Sequence, residues 1–136
     1  MALSSVGGGY QFGDGNLSEA VIQTVPAPVT AAGDATLSVA QLTNGILLGS
    51  PGSSAAAYTL PTAASLDAAL VNAKPGSSFD FAVINVNGSG SGVITVTTNT
   101  GWTLVGLMTV IATAGTAQAF RARKTGDAAW SLYRFA

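Results

Sequence analysis

Six carboxylates, two lysines and three arginines carry all the side-chain charge of this 136-residue sequence, which contains neither histidine nor cysteine. Without imidazole or thiolate there is no His-based acid or base, no Cys nucleophile, no disulfide and none of the usual zinc ligand sets. Carboxylate chemistry on a glycoside needs two acids held across the sugar. Asp14 and Glu19 lie in the N-terminal stretch, Asp34 stands at the entry to the apolar core sequence, Asp67 falls in a helical pattern, Asp80 in a strand and Asp127 in a turn. Nothing in that spacing pairs them. The sequence therefore predicts no enzyme, no cofactor and no metal site. Gly7-Gly8-Gly9 and Gly88-Ser89-Gly90-Ser91-Gly92 lack the strand, helix and following lysine of a phosphate loop.

Two other groups have chemistry to offer. Arg121 and Arg123, spaced by two, share one face of a strand, and Arg134 on the next strand is expected to face them. Such a ladder either guards a sheet edge against unwanted strand addition or forms an electrostatic docking face. Trp102, Trp130, Tyr133 and Phe135 are a sugar-stacking surface or, as is commoner in small sandwiches, core and interface residues.

The composition bounds what these residues can serve. Charged residues are 8% of the chain and hydrophobic ones 48%, with 17 glycines, against about 25% charged in ordinary soluble domains. The length suits one domain. A net charge of −1 lacks the cationic surplus that phosphate neutralisation requires, so no nucleic-acid partner is expected. Residues 1–74 sum to −3 and residues 75–136 to +2, an asymmetry that can orient neighbouring copies. Positions 81–120 hold no charge, yet Asn85, Asn87, Thr95, Thr97 and Asn99 break every apolar stretch short of the ~20 residues of a spanning helix. No membrane role is expected. The N-terminus lacks the basic start and apolar run of a secretory signal, which predicts synthesis in a cytoplasm.

The elements that must position these groups are mostly strands. Residues 1–33 read as an extended N-terminal arm and a strap, with Pro26 and Pro28 fixing an extended course and Leu3, Val6, Tyr10 and Phe12 as candidate anchors on a neighbouring subunit. From residue 34 to 136 the pattern predicts a β-sandwich domain of about eight strands. These are Thr36–Gln41 and Gly45–Leu48 around the Asn44-Gly45 turn, Tyr58–Leu60, Phe79–Asn87 in a hairpin with Val93–Thr98, Trp102–Val105, Leu107–Ala112, and the closing pair Ala117–Lys124 and Ala129–Phe135. One short helix is predicted over about 62–73, where Leu66, Ala69, Leu70 and Ala73 recur at helical spacing behind a Thr62 or Ser65 cap, before Lys74-Pro75-Gly76 stops it. The expected class is all-β, an antiparallel, jelly-roll-like sandwich whose edges are covered by oligomerisation.

The stretches Tyr58-Thr59-Leu60-Pro61-Thr62-Ala63-Ala64-Ser65-Leu66-Asp67-Ala68-Ala69-Leu70 and Gly76-Ser77-Ser78-Phe79-Asp80-Phe81-Ala82-Val83-Ile84-Asn85 resemble small virion proteins of tailed phages. Gly101-Trp102-Thr103-Leu104-Val105-Gly106, Thr113 to Arg123 and Ala129-Trp130-Ser131-Leu132-Tyr133 continue the resemblance over roughly residues 36–135. It implies a capsid decoration, or cement, protein: a jelly-roll-like module, commonly trimeric, on the exterior of an icosahedral capsid, whose partners are the major capsid protein and its own copies. Similar modules of fibres and appendages imply the alternative, recognition of a host glycan or protein. The candidate interface residues are then Leu3, Val6, Tyr10, Phe12, Arg121, Arg123 and Arg134.

Overall fold

A computed structural model of the chain describes residues 24–87 and 90–136, together with the backbone of residues 5–6 and 9–10. In that N-terminal stretch β1 (Ser5–Val6) and β2 (Gly9–Tyr10) pair antiparallel; the rest of the expected arm, up to residue 23, lies outside the described residues. The side chains of Leu3, Val6, Tyr10 and Phe12 lie outside the described residues.

The remaining elements run in the order β3 (Val29–Ala31), β4 (Ala35–Thr36), α1 (Val39–Thr43), β5 (Ile46–Gly49), β6 (Ala56–Thr59), α2 (Ala63–Ala69), β7 (Ser78–Asn85), β8 (Ile94–Thr97), β9 (Trp102–Val105), β10 (Thr109–Val110), β11 (Thr116–Gly126) and β12 (Ala129–Arg134). They build an all-β sandwich of two sheets, one of six strands in the order β3-β5-β7-β11-β12-β9 and one of four in the order β10-β8-β6-β4. From β3 to β11 every connection crosses from one sheet to the other, and only β11 and β12 follow each other in the same sheet. Up to β8 this winding lays each strand parallel to the one two places earlier: β3 with β5, β5 with β7, β4 with β6 and β6 with β8. The expected antiparallel arrangement is thereby corrected, because both sheets are mixed. Within these two sheets, antiparallel pairing is confined to β7–β11, β11–β12 and β8–β10.

The expected hairpin of residues 79–98 is also replaced, since β7 and β8 sit in different sheets. The segment between them spans the ~10 Å from one layer to the other. Asn85, fully buried, anchors that crossing by donating its amide Nδ2 to Gly92 O at 2.8 Å and Ile111 O at 3.0 Å. The sandwich likewise starts upstream of the expected boundary at residue 34, because β3 pairs with β5 and Ala31 belongs to the core.

Two helices stand where one was expected. Ser38 caps α1 with a reciprocal box, its Oγ accepting from Gln41 N while Gln41 Oε1 accepts from Ser38 N, and the flanking Leu37 and Leu42 are both buried at the staple positions. These local bonds outweigh the alternation that suggested a strand over 36–41. Asn44 ends the helix and Gly45, at φ +98°, turns the chain into β5, so the Asn-Gly signal closes a helix and not a hairpin. Helix α2 begins at its Thr62 cap but stops at Ala69, four residues early. The backbone leaves helical geometry at Leu70, φ −106° and ψ 63°, whose N–H makes the last bond of the helix to Leu66 O.

The core holds Trp130, Tyr58, Phe120, Leu47, Leu60, Leu66, Ile94 and Leu132, all essentially inaccessible. Tyr58 links the layers: its hydroxyl lies 2.7 Å from Ala31 O and 2.9 Å from Ala32 O, and burial pushes its phenol pKa up, which keeps the donated proton in place.

Gly101 adopts φ +88°, and a Cβ there would run into Ala128 O and the Ala63 methyl, which cannot swing aside. Gly52 is equally left-handed at φ +71° but faces open space. Urea unfolding should show Gly52→Ala costing about 1 kcal/mol from backbone strain alone, and Gly101→Ala costing about 3 kcal/mol because overpacking against backbone adds to it. Equal costs would contradict the tight packing of α2 against the β11–β12 turn.

Candidate functional site

Among the described residues, the carboxylates of Asp34, Asp67 and Asp80 are engaged in structure. Asp34 Oδ1 accepts from Ala57 N at 2.8 Å and fastens the entry to β4 onto β6. Asp67, on α2, accepts from Trp130 Nε1 with Oδ1 and from Ala128 N with Oδ2, each at 2.8 Å, and pairs with Lys124 Nζ at 2.9 Å. The backbone bond from Ala128 foremost, then the indole and the ammonium, holds the Asp67 carboxyl below the usual carboxylate range. Lys124 is 6% exposed, so the pair is a buried clamp between helix and closing hairpin. Asp80 on β7 faces Arg121 on β11 through a two-pronged pair, 2.7 Å to Nε and 2.9 Å to Nη2, which lowers the Asp80 pKa and raises that of Arg121. Among the described residues no three Asp, Glu, His or Cys side chains gather as a metal site.

What the fold leaves open is a surface. Strand alternation and register place Ile46, Leu48, Ala82, Ile84, Ala117 and Ala119 together on the outer face of the six-stranded sheet. Phe135, paired through Ala119 by backbone bonds and 55% exposed, extends the apolar area, and the Arg121 guanidinium lies 5.2 Å from its ring centre. The next row across the sheet is Val105, Tyr133, Arg121 and Asp80; the row after that is Thr103, Ser131, Arg123 and Ser78. The face therefore grades from a charge-free apolar half, through one neutralised ion pair, to a polar margin. At the polar end of the sandwich a separate open cleft of about 440 Å³ is lined by Leu70, Val71, Phe79 and Trp130 among small and polar residues, with no charged side chain.

No protein-family model, curated protein or solved structure matches this chain.

Of the residues singled out from sequence, Arg121 and Arg123 do share the outer face. Arg134 does not join them. Its register partner is Phe120, which puts it on the opposite face, where its Nη1 donates to Leu107 O at 3.2 Å and holds the β9–β10 connection. Two residues of one parity on β11 and one of the other on β12 cannot meet across an antiparallel pair. Trp102 and Trp130 are core residues, and the Trp102 indole donates to Pro61 O at 2.7 Å. Sequence reasoning passed over the six apolar residues of the outer face. Their signal was present, because Phe81-Ala82-Val83-Ile84 is apolar at both parities, which a strand with one solvated face does not need.

Breaking the clamp should be costly. Asp67→Asn leaves Lys124 charged and buried without a counter-ion, and chemical denaturation should report a loss of about 3 kcal/mol. Because the folded pKa of Asp67 lies below its unfolded value, its contribution is complete above the ordinary carboxylate pKa of about 4 and disappears as pH falls through the folded value. Wild-type stability should accordingly drop over that acid window more steeply than that of the Asn variant. Parallel pH profiles would show that the clamp does not contribute.

Proposed function

We propose that this protein is a structural component of a virus particle, a jelly-roll-like decoration module that binds the exterior of an icosahedral phage capsid and clamps neighbouring capsid subunits. The open, uncharged apolar half of the six-stranded sheet's outer face carries the proposal. An apolar area of this kind on a small domain marks a protein contact, and here the charged groups that would solvate it are paired off or set on the far margin. The two-sheet outline agrees in coarse form with the expected module, although its parallel winding is its own. A capsid as the partner follows from the resemblance of residues 36–135.

A clamp needs rigidity and more than one contact area, not a catalyst. The ladder β7–β11–β12 supplies a stiff plate, and the outer face and the α2-end cleft supply two separate apolar surfaces. Binding only the assembled shell would stabilise it by RT ln(1 + [L]/Kd) per site, about 2.7 kcal/mol at a hundredfold excess over Kd. The alternative, a fibre or appendage module for a host glycan, finds less support: both indoles are buried, so neither offers a stacking face.

Purified protein mixed with undecorated capsids should pellet with them, saturate at a fixed copy number and resist moderate salt, because screening acts on charges that this contact scarcely contains. Attachment to host cells with none to shells would favour the appendage module and overturn the capsid proposal.

A further inference from the structure

We infer that the cleft at the end of α2 is the docking site of this chain's own N-terminal segment, residues 17–23, which lie outside the described residues. The place where the chain enters the described structure selects that occupant. Asn44, the C-cap of α1, donates its Nδ2 to Ala27 O at 2.8 Å. Residues 24–28 are thereby tied beside Thr43, which lines the cleft, and Pro26 and Pro28 keep them extended. Five residues separate Ala27 from Ile22, a reach of up to ~17 Å, enough to cross a space of about 440 Å³. A segment attached this close meets the cleft at an effective concentration of about millimolar, which a second chain in micromolar solution does not match.

The second feature is how the cleft arises. Helical spacing continues through Leu70 and Ala73, but α2 stops at Ala69. The turn that follows leaves Val71 77% exposed, more than any other large apolar side chain among the described residues. Phe79 and Trp130 line the same space, and no charged side chain does. Residues 17–23, Leu-Ser-Glu-Ala-Val-Ile-Gln, bring Leu17, Val21 and Ile22 to match that lining.

The third is charge. Lys74 and Gly76 lie between the lining residues Ala73 and Ser77, and Arg123 Nη2 stands 3.9 Å from where a Cβ on Gly76 would be, so two cations border the cleft. Neither has a carboxylate partner among the described residues. Residues 1–33 carry Asp14 and Glu19 and no lysine or arginine. Docking of residues 17–23 brings Glu19 to that cationic border, and opposite charges favour the contact. The proposed shell contact uses the same cleft, so a shell subunit that enters it displaces this segment. The docking itself involves no shell and is tested without one.

The chain has no cysteine, so introduced thiols report cleanly. In the full chain at about 1 µM, Ile22→Cys with Val71→Cys should oxidise to an intrachain disulfide at least about tenfold faster than Ile22→Cys with Ile111→Cys. The second thiol of that control pair lies at the far end of β7, where Asn85 bonds Ile111 O. A second measurement does not depend on which residue sits deepest. The single thiol of Val71→Cys should react with a maleimide at least about tenfold faster once Val21→Asp and Ile22→Asp are added. Ile111→Cys, at a position 54% exposed, should react equally in both backgrounds. Circular dichroism establishes that the variants keep the wild-type fold. Disulfides that form between chains and rise with protein concentration would overturn the inference in favour of exchange between copies. Equal oxidation of the two pairs, or labelling of Val71→Cys that ignores the aspartates, would overturn it as well, because the cleft would then stand open in the free chain.

Discussion

One carboxylate closes the sandwich. Asp67 reaches from α2 to the backbone N–H of Ala128, the indole of Trp130 and the ammonium of Lys124, three partners on the β11–β12 hairpin. Every earlier strand from β3 onward is wound alternately through the two layers, and such a coil has no internal device that ends it. The β11–β12 hairpin ends it by pairing with β7 on one side and β9 on the other. Fixing that hairpin to α2 also fixes Ala128 at φ +49°, a left-handed value that a non-glycine residue keeps only when surrounding contacts hold it. The clamp is bought with a buried ion pair, which is why its loss leaves Lys124 more costly than an apolar residue in its place.

The flatness of the outer face follows from the same construction. A hairpin eleven residues long on its first strand, bonded along eight positions to β7, makes a plate whose inner side must carry Phe81, Val83, Phe120 and Ala122. Its outer side carries Ala82, Ile84, Ala117 and Ala119, two rows without a charged side chain. With 8% charged residues in the whole chain, and with Asp34, Asp67, Asp80, Lys124 and Arg121 engaged in internal contacts, few charges are left for that face. The scarcity of charge that argues against nucleic-acid binding from sequence is the same property that leaves this face apolar.

What could be read from the sequence was whatever depended on neighbours in the chain. The strand over Phe79–Asn87 announces itself by its run of strand-forming residues, the closing hairpin by its Thr125-Gly126-Asp127 turn, and the helix behind Thr62 by its spacing. The capping box at Ser38 and Gln41 was equally local and went unweighed against the alternation of Thr36–Gln41. Long-range choices had no local signal: which sheet receives β8 depends on its pairing with β6, 38 positions upstream, as in the pairing of Tyr58 with Val96. The Asp67–Lys124 clamp spans 57 positions, and no spacing rule links them. The placement of Arg134 was decided by register parity, legible only once β11 and β12 were known to pair Phe120 with Arg134.

If a structural docking module is what this chain encodes, the face of the six-stranded sheet must be covered in its working state. Electron cryomicroscopy of shells saturated with the protein shows directly which side of the sandwich is in contact. The account predicts that Ile46, Leu48, Ala82, Ile84, Ala117, Ala119 and Phe135 are buried against the shell. A particle on which those residues face solvent, while the four-stranded sheet makes the contacts, would contradict it.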